Sequence, residues 1–137
     1  MNDRIFIDTN IWIYLYSKDR KSQSVKKFIE SNFDNIILST QVLNEFYNVI
    51  AIKNKLKSKE DAKVIIQDLI DNFIISVVTN KTIIIAIDIS IKYQYSYFDS
   101  LISASALEEG CTQLVTEDMQ DGQLINNTLT LVNPTGR

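Results

Sequence analysis

Four acidic residues, Asp8, Glu45, Asp99 and Asp118, are where this sequence could do chemistry. The chain contains no histidine. That excludes Ser-His-Asp and Cys-His nucleophiles, His-Glu-x-x-His zinc sites and histidine acid–base nucleases. Its one cysteine, Cys111, excludes a four-cysteine zinc site and any internal disulfide. Chemistry must then rest on carboxylates, hydroxyls, lysines, a metal or a cofactor. Each acid also has a plain structural reading. Asp8 suits a helix N-cap and Asp118 a turn. Glu45 sits at the edge of an apolar stripe with its head in water. Asp99 pairs with Ser96 in a Ser-x-x-Asp capping box. If the fold brings the four acids together, they repel one another and some members protonate near neutral pH. A divalent cation removes that penalty. Carboxylate oxygens with no His or Cys nearby select Mg²⁺ or Mn²⁺. Such an ion activates water and steadies charge on a phosphoryl group.

The elements that must position these acids alternate between strand and helix. Arg4–Ile7 (RIFI) reads as a short buried strand, and Asp8-Thr9-Asn10 caps a helix starting with Ile11–Tyr16. Ser22–Asn32 is helical, with Val25, Phe28 and Ile29 on one face. Ile36–Ser39 is a second strand. Thr40–Asn54 reads as one long helix with Val42, Leu43, Phe46, Val49 and Ile50 inward. Ser58–Asp61 forms a capping box, and its helix runs to about Asn72 through Val64, Ile65, Ile66 and Leu69. Ile74–Val78 is a β-branched strand. Thr82–Tyr93 is read as a helix, because it is too long for a strand. Ser96–Glu109 is a helix closed by Gly110. Gln113–Thr116 and Leu129–Val132 are strands, the last stopped by Pro134. Alternation of this kind implies crossover connections and a parallel sheet covered on both faces. In such sheets, sites form beyond the carboxyl ends of the strands. Asp8 and Asp118 both follow strands.

Length and composition fit one globular domain, residues 1–137. The chain is 45% hydrophobic and 23% charged, with only three glycines and one proline, which leaves little room for a linker. The net charge of −3 hides an asymmetry. Residues 1–63 carry 11 Lys/Arg against 8 Asp/Glu, and residues 64–137 carry 3 against 9. A basic half beside an acidic half permits a polyanion partner. The N-terminus lacks the basic start and apolar stretch of a signal peptide. The longest apolar run, Ile11–Tyr16, is far short of a membrane span. A cytoplasmic protein without a membrane partner is expected.

Four segments, taken in order, resemble the PIN-domain ribonucleases, in particular the VapC-like toxins of toxin–antitoxin pairs. They are Ile5-Phe6-Ile7-Asp8-Thr9-Asn10-Ile11, Ser39-Thr40-Gln41-Val42-Leu43-Asn44-Glu45-Phe46, Tyr97-Phe98-Asp99-Ser100-Leu101-Ile102-Ser103-Ala104-Ser105-Ala106 and Leu114-Val115-Thr116-Glu117-Asp118-Met119-Gln120-Asp121-Gly122. Each motif is weak alone; the ordered set is specific, and the resemblance covers Ile5 to Pro134. The resemblance implies a three-layer α/β/α fold with a mostly parallel sheet of four to five short strands. It implies that Asp8, Glu45, Asp99 and Asp118 bind Mg²⁺ or Mn²⁺ and hydrolyse RNA. Asp121 is open between an auxiliary ligand and a turn residue. Asn10 and Thr116 match polar positions that support the acids, and Glu117 is expected in solvent. Positive charge to receive RNA would come from Lys18, Arg20, Lys21, Lys26 and Lys27, and from Lys53, Lys55, Lys57, Lys59 and Lys63. Tyr14, Tyr16, Tyr95 and Tyr97 could stack on bases. The same resemblance implies a homodimer and a small antitoxin protein that blocks the site.

Two other classes compete. One is an inactive PIN fold that only binds a partner, against which all four acids stand. The other is a receiver-type signalling module, which wants an acid pair after its first strand and a phospho-acceptor after its third. Here Asp8 stands alone, and Thr79-Asn80 follow the third strand. A phosphatase with an Asp-x-Asp motif is broken by Asp8-Thr9-Asn10.

Overall fold

The computed structural model describes residues 3–134. Six helices flank a single six-stranded sheet. The strands are β1 (Ile5–Ile7), β2 (Ile36–Ser39), β3 (Ile74–Ser76), β4 (Gln113–Val115), β5 (Leu124–Ile125) and β6 (Leu129–Val132). The helices are α1 (Thr9–Leu15), α2 (Ser22–Ser31), α3 (Thr40–Tyr47), α4 (Lys59–Asn72), α5 (Asn80–Tyr93) and α6 (Tyr97–Glu108). The strand order is β3-β2-β1-β4-β6-β5, parallel throughout except where β5 meets β6. The sixth strand exceeds the expected four to five. It is the two-residue β5, too short to show any alternation.

This order decides where a site can form. From β1 the chain crosses to β2 and β3 on one side, then returns to β4 on the other. Right-handed crossovers then place α1–α4 on one face of the sheet and α5 and α6 on the opposite face. The reversal falls between β1 and β4, whose register pairs Ile7 with Val115. A crevice at the carboxyl ends of strands flanking such a reversal is where open α/β sheets bind ligands. A receiver-type order, with β1 between β2 and β3, is absent.

The core explains why the short strands hold. β1 and β2 are buried at every position, as expected for central parallel strands. Phe6, Trp12, Phe46 and Leu114 are among the largest fully buried side chains of the core, and Trp12 Nε1 donates to the Ile7 carbonyl at 3.1 Å. Helix α6 is buried from Ser100 to Ala106. Its small residues allow α5 to pack closely through Ala86 and Ile89 against Leu101 and Ala104.

Several expectations shift. Helix α4 buries Ala62 and Leu69, half-buries Ile65 and Ile66, and turns Val64 out to solvent at 55% exposure. Strand β3 stops at Ser76, because the Val78 N–H leaves the sheet to donate to Thr40 Oγ1. The expected helix over Thr40–Asn54 is α-helical only to Tyr47 and continues as a wider π-turn over Asn48–Lys53. Thr79 and Thr82 form a reciprocal capping box that starts α5 two residues early. Gly110 takes a positive φ of 71° after α6, which turns the chain toward β4.

Candidate functional site

Asp8 occupies the N-cap of α1, in extended backbone directly after β1. Its own N–H donates to the Val115 carbonyl, so β4 fixes its position. The side chain is only 4% exposed. Its Oδ1 accepts the Thr9 N–H at 2.6 Å and its Oδ2 accepts the Thr116 hydroxyl at 2.8 Å. Thr116 Oγ1 in turn accepts the Asp118 N–H at 3.1 Å. One hydroxyl thus links the carboxylate after β1 to the loop after β4. Asn10, on the first turn of α1, donates from Nδ2 to both Asp118 oxygens, at 3.0 and 2.8 Å.

The other two acids enter from helices on opposite faces of the sheet. Glu45 comes from α3, and its Oε1 accepts the Thr9 hydroxyl at 2.8 Å. Gln41, one turn earlier, donates from Nε2 to Glu45 Oε2 and to the Phe98 carbonyl, which ties α3 to the start of α6. Asp99 lies in the first turn of α6, with its N–H capped by Ser96 Oγ at 3.2 Å. Asp8, Glu45, Asp99 and Asp118 all line one cavity of about 320 Å³, together with Thr9, Asn10, Gln41, Asn48 and Lys53.

Burial raises the proton affinity of Asp8 and Asp99, and neighbouring acids add to it. Burial pushes the Asp8 carboxyl up to about 6; its bonds from Thr116 and Thr9 pull the other way, and the charges of Asp118 and Glu45 add to the rise. Asp99 is also held above the ordinary range, by burial first and then by Asp118 and Glu45, against the bond from Ser96. A cavity that strains its own carboxylates toward protonation favours a cation.

The donor set fits a hard divalent cation. Every candidate ligand is an oxygen, and no His or Cys lines the cavity. Among the described residues no three His, Cys, Asp or Glu side chains form a ready-made cage. Mg²⁺ does not need one: it keeps several waters and takes one or two carboxylates directly. Gln41 Oε1 is buried beside the acids with no hydrogen-bond partner among the described residues.

The remaining expected residues divide. Thr116 and Asn10 hold the acids as described. Asp121 does not line the cavity; its Oδ1 accepts the Asn133 N–H at 2.9 Å and secures the end of β6. Glu117 is not left in solvent. It accepts the Tyr14 hydroxyl at 2.6 Å and pairs with Lys21 Nζ at 3.0 Å. That bond raises the Tyr14 hydroxyl's proton affinity. Tyr16 packs edge-on against Phe46, and the Tyr95 ring is already stacked on Tyr93, so neither is a free stacking platform. Of the ten basic candidates, only Lys53 reaches the acid cavity. Thr9 and Gln41 escaped sequence reasoning, because a threonine after a cap and a glutamine on a helix carry no signal until their partners are in place. Cys111 is buried, and burial pushes its thiol up to about 12.

The PIN domain family model matches residues 5–120. No curated protein matches the sequence. Among solved structures, a toxin–antitoxin complex from Klebsiella pneumoniae is similar with a TM-score of 0.74 at 19% identity, covering 95% of this chain and 97% of that one. VapBC2 from Rickettsia felis, bound to promoter DNA, is similar at 0.70 and 21% identity over 94% and 98% of the two chains. Mycobacterium tuberculosis VapC20, a toxin that cleaves the sarcin–ricin loop, is similar at 0.69 and 20% identity, covering 83% and 91%.

Proposed function

Because this chain belongs to the PIN domain family, we propose that it is a divalent-metal-dependent endoribonuclease, the toxin of a toxin–antitoxin pair. One observation carries this reading: acids from β1, α3, α6 and the loop after β4 meet in one cavity at the sheet's reversal point. Asp8, Glu45, Asp99 and Asp118 would hold the cation. When bound, Mg²⁺ or Mn²⁺ supplies an activated water and charge stabilisation at the phosphoryl oxygens.

The chain's own residues do the positioning. Thr116 orients Asp8, Asn10 holds both oxygens of Asp118, and Thr9 holds Glu45. Gln41 keeps α3 in register with the turn that presents Asp99. These bonds fix three of the four acid side chains, and the turn that carries the fourth, before any ligand arrives, which lowers the reorganisation needed to bind one.

Two of the similar structures are toxin–antitoxin assemblies, which supports a small antitoxin protein as partner. An exposed isoleucine face on α5, formed by Ile83, Ile84, Ile87 and Ile91, supports a homodimer. No helix among the described residues is long and apolar enough to cross a membrane, which is consistent with a cytoplasmic site of action.

The test uses purified protein and an Asp8→Asn variant with total cellular RNA, in Mg²⁺, in Mn²⁺ and in chelator. Sequencing of new 5′ ends is expected to show cleavage sites that need the metal and vanish in the variant. No new ends from folded, antitoxin-free protein would favour the inactive binding fold.

A further inference from the structure

The π-turn that follows α3 changes which side chain faces the acids. With ordinary helical spacing, Ile52, seven residues past Glu45, would share its face. Instead the Asn54 N–H donates to the Val49 carbonyl, five residues back, at 2.8 Å. This wider turn carries one more residue around. Lys53 replaces Ile52 beside Glu45 and Val49, and Ile52 is turned out to solvent. Turns of this kind occur mostly as single interruptions in helices, often at functional sites.

Lys53 lines two cavities at once. One is the acid cavity. The other, about 340 Å³, lies against α1 and is walled by Tyr14, Ile13 and Asn54. The two share Asn10, Val49 and Lys53. Tyr14 is held as a fixed wall, with its hydroxyl on Glu117 and Lys21 Nζ 4.9 Å from its ring centre. Lys53 forms no ion pair among the described residues, although it lines a cavity with four carboxylates. A cation that is available, beside acids and next to a nucleotide-sized space, is suited to a second anionic group.

We propose that the cavity between α1 and the π-turn binds the nucleotide adjoining the scissile phosphate of a single-stranded RNA, with Lys53 on that nucleotide's own phosphate. The inference rests on the ribonuclease reading above and adds to it the path by which the strand leaves the acids. The acids repel a polyanion; Lys53 supplies the attraction that lets it approach. Such a contact is electrostatic and independent of sequence, so it affects binding before it affects chemistry.

The test follows cleavage of an oligoribonucleotide that carries the strongest site mapped in total RNA, over a series of salt concentrations. Lys53→Gln is expected to raise KM about 5- to 10-fold with kcat nearly unchanged, and to flatten the dependence of log(kcat/KM) on log salt by about 0.7. Lys53→Arg should restore both. Lys81→Gln, an exposed charge on α5, should change neither. An unchanged KM and slope in Lys53→Gln overturns the proposal while the ribonuclease reading stands. A fall in kcat alone also overturns it, because Lys53 would then act at the reacting phosphate. If the wild-type protein cleaves no RNA, both readings fall together.

Discussion

Helix α3 walls two cavities, and they differ in nearly everything except that shared wall. On one side Gln41 and Glu45 face the acid cavity of about 320 Å³. On the other, Leu43, Asn44 and Tyr47 form a groove of about 670 Å³ with Ile66 and Gln67 of α4. The groove is larger and more apolar, which by size makes it the first place to look for a ligand. Its charges are Lys59, Glu60 and Lys63, exposed on α4 and in no ion pair among the described residues. In the acid cavity, by contrast, Asp8, Glu45 and Asp118 are each fixed by a hydrogen bond from a neighbouring side chain. Fixed polarity, not volume, separates a reactive site from a surface furrow. Carboxylates held together before a ligand arrives store repulsion that a cation can relieve.

The hardest blow to this contrast is Asp8→Asn. It should lower RNA cleavage by on the order of 10³-fold, because it removes charge from the most buried acid while keeping its shape. A variant that keeps even a tenth of the activity would remove Asp8 from the chemistry.

The same substitution should stabilise the metal-free protein. The folded carboxyl of Asp8 titrates at about 6, above its ordinary 3.8. Between those values the folded state binds more protons than the unfolded state, so the contribution of Asp8 to stability falls as pH rises from about 4 to about 6. Above pH 6 the loss is about 3 kcal/mol. The amide that replaces it cannot ionise. Metal-free Asp8→Asn should therefore melt higher than wild type at pH 7, and the gap should close toward pH 4. Thermal melts in chelator across that range check the sign. Adding Mg²⁺ or Mn²⁺ should raise the wild-type melting temperature and narrow the gap at pH 7. Parallel melting curves at every pH would mean that burying the Asp8 carboxylate among its neighbours carries no cost in the folded state.

Thr116→Val tests the support rather than the acid. It removes the donor to Asp8 Oδ2 and the acceptor for the Asp118 N–H, with little change in shape. Cleavage should fall about 10- to 100-fold and the cation midpoint should rise. Stability should fall by about 1–3 kcal/mol, the usual cost of leaving such a group unsatisfied. A loss of stability without a shift in the cation midpoint would make Thr116 a structural residue only.

How much of this was legible in the sequence follows from what each residue depends on. Asp8, Asp99 and Asp118 sit at element boundaries, where apolar runs stop and capping residues begin. Glu45 is visible as a charge in an apolar stripe. Such local marks survive without the fold. The π-turn has no local mark, since Asn48–Lys53 continues the helical pattern of α3. Glu117 was equally opaque, because its partners Tyr14 and Lys21 are 103 and 96 residues away in the chain. The parallel sheet followed from alternation. The sixth strand did not, because Leu124–Ile125 forms only by pairing back on β6.

The gentlest test lies on the far side of α3. Leu43 lines the apolar groove and is half-buried, so the groove already exposes part of its surface. Leu43→Ala should therefore cost about 1 kcal/mol, less than the roughly 2–5 kcal/mol usual for a fully buried leucine. Its side chain makes no hydrogen bond to the acid network, and α3 continues to hold Gln41 and Glu45 through their own partners. Cleavage rate and cation midpoint should stay within about twofold of wild type, since sites that share no partners behave additively. A chemical melt gives the stability change, and the RNA cleavage assay gives the rest. If activity instead fell tenfold with folding intact, the two faces of α3 would be coupled. The groove would then belong to the path of the substrate, and fixed polarity would no longer be enough to mark where the reaction happens.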